Sequence, residues 1–115
     1  MAVDRSLMLL IKSSMMGEGE PDLGEKLLSA FLAQLLESGS VPARIVCMNT
    51  GIFLTTEGSS MRDLMSRFEA QGSEILSCGT CLEYYKRSDR LVVGKPTNMR
   101  DTVQALLEFP RVLQP

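Results

Sequence analysis

Short apolar segments typical of strands alternate with amphipathic segments typical of helices along the 115 residues of this sequence. Alternation of this kind is typical of α/β domains with a parallel sheet. We therefore predict one domain over residues 1–115, a three-layer α/β/α sandwich with a mostly parallel five-stranded sheet. The predicted strands are Ser6–Lys12, Ala43–Met48, Glu74–Ser77, Arg90–Gly94 and Arg111–Leu113.

Three longer helices are predicted between these strands. Asp22 and Glu25 have the spacing of a capping box, so the first helix is expected to begin at Asp22 and to lie on the sheet through a wide leucine-rich stripe. The second is predicted to begin at Ser59 or Ser60, and the third at Thr97 or Asn98. The apolar positions expected to face inward are Leu23, Leu27, Leu28, Phe31, Leu32, Leu35 and Leu36, then Met61, Leu64, Met65 and Phe68, then Met99, Val103, Leu106 and Leu107.

Charge and composition narrow the class of protein. The net charge is −2, with acidic and basic residues mixed along the chain, and aromatic residues make up only 5%, with no Trp. These features argue against a nucleic-acid-binding surface, which needs a basic patch or stacking aromatics. The longest apolar run, at 7–11, is too short to span a bilayer, and the start lacks the features of a secretory signal. We expect a cytoplasmic protein with no membrane or nucleic-acid partner.

Cysteine and histidine usage limits the chemistry. There are three cysteines and no histidine, which excludes Cys-His and Ser-His catalysis and histidine-ligated zinc. An odd cysteine count does not fit a secreted disulfide scaffold. A complete structural zinc site within the chain needs four ligands, and one CxxC supplies two. We therefore assign no metal and no cofactor, while a metal shared between subunits stays open.

The CxxC motif Cys78–Cys81 lies where the third strand is expected to end and a helix to begin. Unpaired N–H groups and the helix dipole at such a position favour thiolate, the form that attacks sulfur or binds metal. Cys78 is expected to expose its sulfur and to receive or hand on sulfur as a persulfide, with Gly79 and Thr80 offering N–H groups to the anion. Cys81 is predicted to resolve a disulfide, share a metal or pack inward, and Cys47 is predicted to be core.

Four loops are expected at one edge of the sheet, because ligands of parallel sheets bind beyond the carboxyl ends of the strands. They are 16–19, 49–51, 78–81 and 95–98. The methionines are interpreted mainly as core, although Met15, Met16 and Met48 are placed at an apolar rim around the cysteines. The shared position of these loops predicts where a binding site lies, but it does not identify the reaction or the ligand.

Several segments together resemble the DsrE/DsrF-like family, and more closely the C-terminal domain of the selenium-metabolism YedF proteins. The resemblance covers nearly the whole chain. Its segments are 16–19 with 22–24, 49–51 with 57–59, 75–82, and 93–94 with 97–99. It implies a parallel five-stranded α/β/α fold and self-association as trimers or hexamers.

The resemblance also implies a function. In sulfur-relay members a cysteine at this turn carries persulfide sulfur, and the matching residue is Cys78; those members usually lack the second cysteine found here at Cys81. It points to a sulfur-donor or acceptor protein as partner, such as a SirA-like protein. The predicted binding residues around the cysteines are Gly17, Asn49, Gly51, Gly79, Thr80 and Asn98.

Two other functions remain open from the sequence alone. One is a thioredoxin-like dithiol redox protein, in which Pro96 would face the CxxC. The other is a non-enzymatic oligomeric adaptor, in which Cys78 and Cys81 are structural or regulatory. The first would form a reversible disulfide with a defined potential, and the second would have thiols of ordinary reactivity.

Overall fold

Five strands pair into one sheet in a computed structural model that describes residues 3–115. The strand order is β4-β3-β2-β1-β5, and every pair of neighbouring strands is parallel. The strands are β1 Val3–Ile11, β2 Val41–Cys47, β3 Glu74–Cys78, β4 Lys95–Thr97 and β5 Arg111–Leu113. The helices are α1 Pro21–Glu37, α2 Arg62–Ala70, α3 Gly79–Tyr84 and α4 Met99–Glu108, with a 3₁₀ helix over Asn49–Leu54.

Helices cover both faces of the sheet, because successive side chains of a strand point to opposite faces. On one face, Leu9 and Ile45 belong to a large core shared with leucines of α1 and with Met65 and Phe68 of α2. On the other face, a smaller core forms around Ala105 of α4. The strand residues of this second core are Met8, Leu10 and Val46. The three-layer α/β/α fold predicted from the sequence is confirmed.

The fourth strand is not where the sequence pattern placed it. The prediction of Arg90–Gly94 is wrong: the paired strand is β4, which begins immediately after Gly94. Leu91 forms only an isolated antiparallel bridge with Thr56, and Val93 is buried in the larger core. The apolar run at 91–93 therefore reflects side-chain packing before the strand, and Gly94, with φ +77°, turns the chain into β4.

The predicted capping box of α1 is wrong. The helix begins at Pro21 and its N-cap is Glu20, so Asp22 lies inside the first turn, where its carboxylate accepts the Leu23 N–H. Proline suits the first helical position because its missing N–H would have no partner there. α2 also begins late, at Arg62, after Ser59 has accepted the Met61 N–H. Asn98 does cap α4, since its side chain accepts the Asp101 N–H at 2.8 Å.

The apolar face assigned to α4 points away from the sheet. Thr102 and Ala105 are the buried residues of this helix, and their small side chains allow it to lie close to the strands. The expectation that Met99, Val103, Leu106 and Leu107 face inward is therefore wrong; all four are exposed, Met99 by 57% and Leu107 by 81%. On α1, Leu23 and Leu27 are likewise exposed, while Leu28, Leu32 and Leu36 are buried.

Over residues 3–115, none of the helices is both long enough and apolar enough to cross a bilayer.

Candidate functional site

The CxxC motif occupies the junction that the sequence predicted. Cys78 is the last residue of β3, and α3 begins at Gly79. Beside the motif an open groove of about 470 Å³, which we call the cysteine groove, lies at the carboxyl edge of the sheet. Its lining residues are Met48, Asn49, Cys78, Thr80, Cys81, Tyr84, Tyr85 and Met99. The groove thus combines two thiols with apolar and aromatic walls.

The two thiols differ in exposure. Cys78 is buried, with 8% of its surface exposed, while Cys81 is partly exposed. The expectation that the Cys78 sulfur is exposed is wrong, since Cys78 is the buried end of β3, beside β4, where it pairs with Thr97. Any reagent that reaches Cys78 must therefore enter the cysteine groove.

Cys81 receives a directed hydrogen bond. The Asn49 N–H donates to the Cys81 Sγ over 3.1 Å. Asn49 has a left-handed backbone (φ +54°), which asparagine tolerates better than most residues, and its side-chain oxygen accepts the Tyr85 hydroxyl at 3.4 Å. Asn49, the first residue of the 3₁₀ helix, is thereby fixed with its N–H toward the sulfur.

Opposing effects act on the Cys81 thiol. Burial raises its pKa above the ordinary 9.0, and so does its hydrogen bond to Cys78, which favours the protonated form. The Asn49 N–H acts in the other direction because it stabilises the thiolate. The raising effects are larger, so Cys81 is mainly protonated at neutral pH.

Aromatic packing braces the 3₁₀ helix against α3. The Phe53 and Tyr85 rings lie 4.8 Å apart, and the Arg87 guanidinium sits 4.7 Å above the Phe53 ring. Arg87 also donates to the Thr56 hydroxyl and to the Glu57 carbonyl. Sequence reasoning missed this brace, because nothing local links residues about thirty positions apart.

Only some of the predicted binding residues line the groove. Asn49 and Thr80 lie there with the two cysteines. Gly79 begins α3, where an added Cβ would be 3.2 Å from the Thr97 carbonyl oxygen.

Gly51, Asn98 and Gly17 are not among the residues that line the groove. Gly51 is a buried residue within the 3₁₀ helix, where a Cβ would be 2.5 Å from the Ile11 carbonyl oxygen, so glycine is required there for packing. Asn98 caps α4, and Gly17 (φ +86°) lies in an exposed turn. Each of the three therefore has a structural role in the fold, and their predicted binding roles stay predictions.

Three groove residues were missed from the sequence. Tyr84 and Tyr85 lie three and four positions after Cys81, which is the spacing that puts side chains on one helical face. That spacing could have identified them. Met99 had been assigned to the core, and its exposure depends on the orientation of α4.

Cys47 and the acidic side chains of residues 3–115 do not form a second reactive or metal-binding site. Cys47 is fully buried in the larger core, and burial raises the pKa of its thiol to about 12. Within residues 3–115, no three side chains of His, Cys, Asp or Glu come together as a metal site.

Comparison with known proteins identifies the fold. No family model matches the sequence, and no curated protein matches it significantly. Among solved structures, YchN from E. coli matches with a TM-score of 0.69 at 18% identity, covering 97% of this chain and 100% of that one. MTH1491 from Methanobacterium thermoautotrophicum matches with a TM-score of 0.73 at 17% identity, covering 97% of this chain and 100% of that one. BT1422 from Bacteroides thetaiotaomicron matches with a TM-score of 0.66 at 11% identity, covering 96% of this chain and 95% of that one.

These identities are low, so the similarities concern the fold alone. The chain has the DsrE/F-like fold of YchN.

Proposed function

We propose that this protein is a cytoplasmic carrier of sulfane sulfur, or of the chemically similar selenium, that holds the transferred atom as a persulfide on Cys78. The observation that carries the proposal is the pairing of two thiols in one open groove at the end of β3. The resemblance of the sequence to YedF proteins supports the selenium alternative and a SirA-like donor or acceptor protein. The role is that of a sulfurtransferase-like carrier.

The transfer needs no oxidant. The Cys78 thiolate attacks the terminal sulfur of a donor persulfide, the donor S–S bond breaks, and the donor leaves as a thiol. Cys81 then attacks the Cys78 sulfur that bears the persulfide. This second step forms the Cys78–Cys81 disulfide and releases hydrogen sulfide. The position of both thiols in the same groove, three residues apart at the start of α3, supports this role for Cys81.

Mass spectrometry of the intact protein tests the carrier role. After incubation with a cysteine desulfurase and cysteine, we expect a mass gain of one sulfur atom that a reducing agent removes. Cys78→Ser should abolish the gain because the accepting thiol is absent. Cys81→Ser should retain it for longer because the resolving thiol is absent. Cys47→Ala is the matched control and should behave as wild type, since Cys47 is buried in the core.

Each contrary result has a definite meaning. Undiminished sulfur loading of Cys78→Ser would refute the assignment of Cys78. No gain in any variant, with a selenium donor as well as a sulfur donor, would favour the non-enzymatic adaptor.

The position of Cys78 and Cys81 in one groove also favours a second candidate, the dithiol redox protein. Pro96 lies in β4 opposite Ser77, one residue before the cysteine, and is not among the residues that line the groove. The redox candidate requires a reversible disulfide with a measurable potential. If no disulfide forms in an oxidising glutathione buffer, this candidate is eliminated.

Self-association as a trimer or hexamer is part of the proposal, and the exposed apolar face of α4 supports it. Four apolar side chains on one helix face are unusual on a monomer surface and are typical of an interface. We expect the double variant Val103→Lys, Leu107→Glu to elute as a smaller species than wild type, as measured by light scattering. The change Leu23→Lys, at an exposed leucine on the opposite side of the sheet, is the control. An unchanged mass in the α4 variant would contradict this interface.

A further inference from the structure

The cysteine groove gathers sulfur atoms from three separate parts of the chain. Met48 follows β2, Cys78 and Cys81 bracket the start of α3, and Met99 opens α4. Half of the eight lining residues therefore carry sulfur. The lining of this groove, as described within residues 3–115, contains no carboxylate, imidazole or ammonium group.

The two thiols are placed to share one ion. Cys78 is the N-cap of α3 and Cys81 lies three positions later, and both line the cysteine groove. The Cys81 sulfur also accepts the Asn49 N–H at 3.1 Å, a contact that can persist when the thiolate binds a metal. Met48 is partly buried and Met99 exposed, and the unbranched methionine side chain adapts its position easily. Two thiols and two thioethers thus line one groove from three different parts of the chain.

The chemistry of this donor set selects the metal. Thiolate and thioether sulfur are soft ligands and favour Cu(I), whereas Mg²⁺ and Ca²⁺ need oxygen ligands. Zinc needs four strong ligands in a structural site, and two are present. We propose that Cys78 and Cys81, supplemented by Met48 and Met99, form a binding site for Cu(I).

Binding of the ion is an exchange of protons for metal. One Cu⁺ replaces the protons of two thiols: two S–H bonds are broken, a Cu–S bond forms to each thiolate, and the two thioethers add Cu–S bonds through their lone pairs without losing a proton. The two protons pass to solvent and no electron is transferred. Because both thiols are occupied, the bound ion excludes a persulfide from Cys78, so metal and sulfur would compete for the groove. The site itself does not depend on the carrier role.

Anaerobic titration with Cu(I) and a chromophoric Cu(I) chelator as competitor tests the site. Wild type is expected to bind one equivalent. Cys78→Ser and Cys81→Ser should each bind roughly tenfold more weakly or worse, since even outer-shell changes around a metal cost about that much. X-ray absorption of the loaded protein should show more than two sulfur neighbours around copper. Met48→Leu combined with Met99→Leu should reduce this number to two and weaken binding.

Matched variants separate this site from ordinary dithiol binding. Met15→Leu changes a partly exposed methionine outside the groove and should leave both affinity and sulfur number unchanged. Zn²⁺ in equal amount should not displace Cu(I). Two sulfur neighbours in wild type, or an unaltered affinity in the Met48 and Met99 double variant, would overturn the four-sulfur site. Absence of one-equivalent binding in wild type would overturn it as well.

Discussion

Replacing Gly94 by alanine is expected to lower the free energy of unfolding by about 3 kcal/mol. Two costs combine at this position. Gly94 has φ +77°, a region in which an L-residue costs about 1–2 kcal/mol. A Cβ would also lie 2.2 Å from the Ile75 carbonyl oxygen, so the backbone must shift, and overpacking of this kind costs about 1–3 kcal/mol.

Gly58→Ala is the matched control for that prediction. Gly58 has a similar backbone, with φ +89°, but nothing lies within 4 Å of an added Cβ. It should therefore lose only about 1–2 kcal/mol, the conformational cost alone. Chemical denaturation under reducing conditions gives both values. Equal losses in the two variants would show that the close approach of Gly94 to β3 contributes nothing.

The order of elements was readable from the sequence because most of the strands are short apolar runs separated from one another by helices. β5 was placed over its observed residues, and β3 was predicted one residue short. β4 was missed because Lys95 and Pro96 are exposed residues of a three-residue edge strand without an apolar pattern. Such an edge is protected from further pairing by its charge and its proline.

The orientation of α4 was not readable from hydrophobicity alone. The apolar residues of α4 do recur with helical periodicity, but the face that packs against the sheet is the one that carries Thr102 and Ala105. Burial of small residues against the sheet leaves the larger apolar residues of the helix exposed. Periodicity defines which residues share a face, and it does not say which partner that face meets.

The position of the candidate site followed from topology, whereas its details did not. Strand-end placement was sufficient to locate Cys78. The hydrogen bond from Asn49 to Cys81 depends on a left-handed backbone and on Tyr85, which lies 36 positions along the chain. The burial of Cys78 could not be predicted either, because the sequence pattern placed the neighbouring strand β4 at the wrong residues.

The second large effect concerns the pH dependence of persulfide discharge. If Cys81 resolves the Cys78 persulfide, the rate follows the fraction of Cys81 that is thiolate, because thiolate is the attacking form. Burial and the contact with Cys78 raise the pKa of Cys81 above 9.0. Discharge should therefore be slow at neutral pH and accelerate about tenfold for each pH unit, roughly hundredfold from pH 6 to pH 8.

Loaded protein, freed of donor, can be followed for hydrogen sulfide release and for disulfide formation at each pH. Wild type and Cys47→Ala should give the same rising profile, since the pKa of the buried Cys47 thiol is raised to about 12 and it lies in the core. Cys81→Ser should release sulfide slowly at every pH and form no Cys78–Cys81 disulfide. A wild-type rate that is flat, or that levels off well below pH 9, would mean that Cys81 is not the resolving group. In that case the persulfide stays on Cys78 until an external thiol enters the groove, and the lifetime of the persulfide is determined by how easily that thiol reaches the buried Cys78.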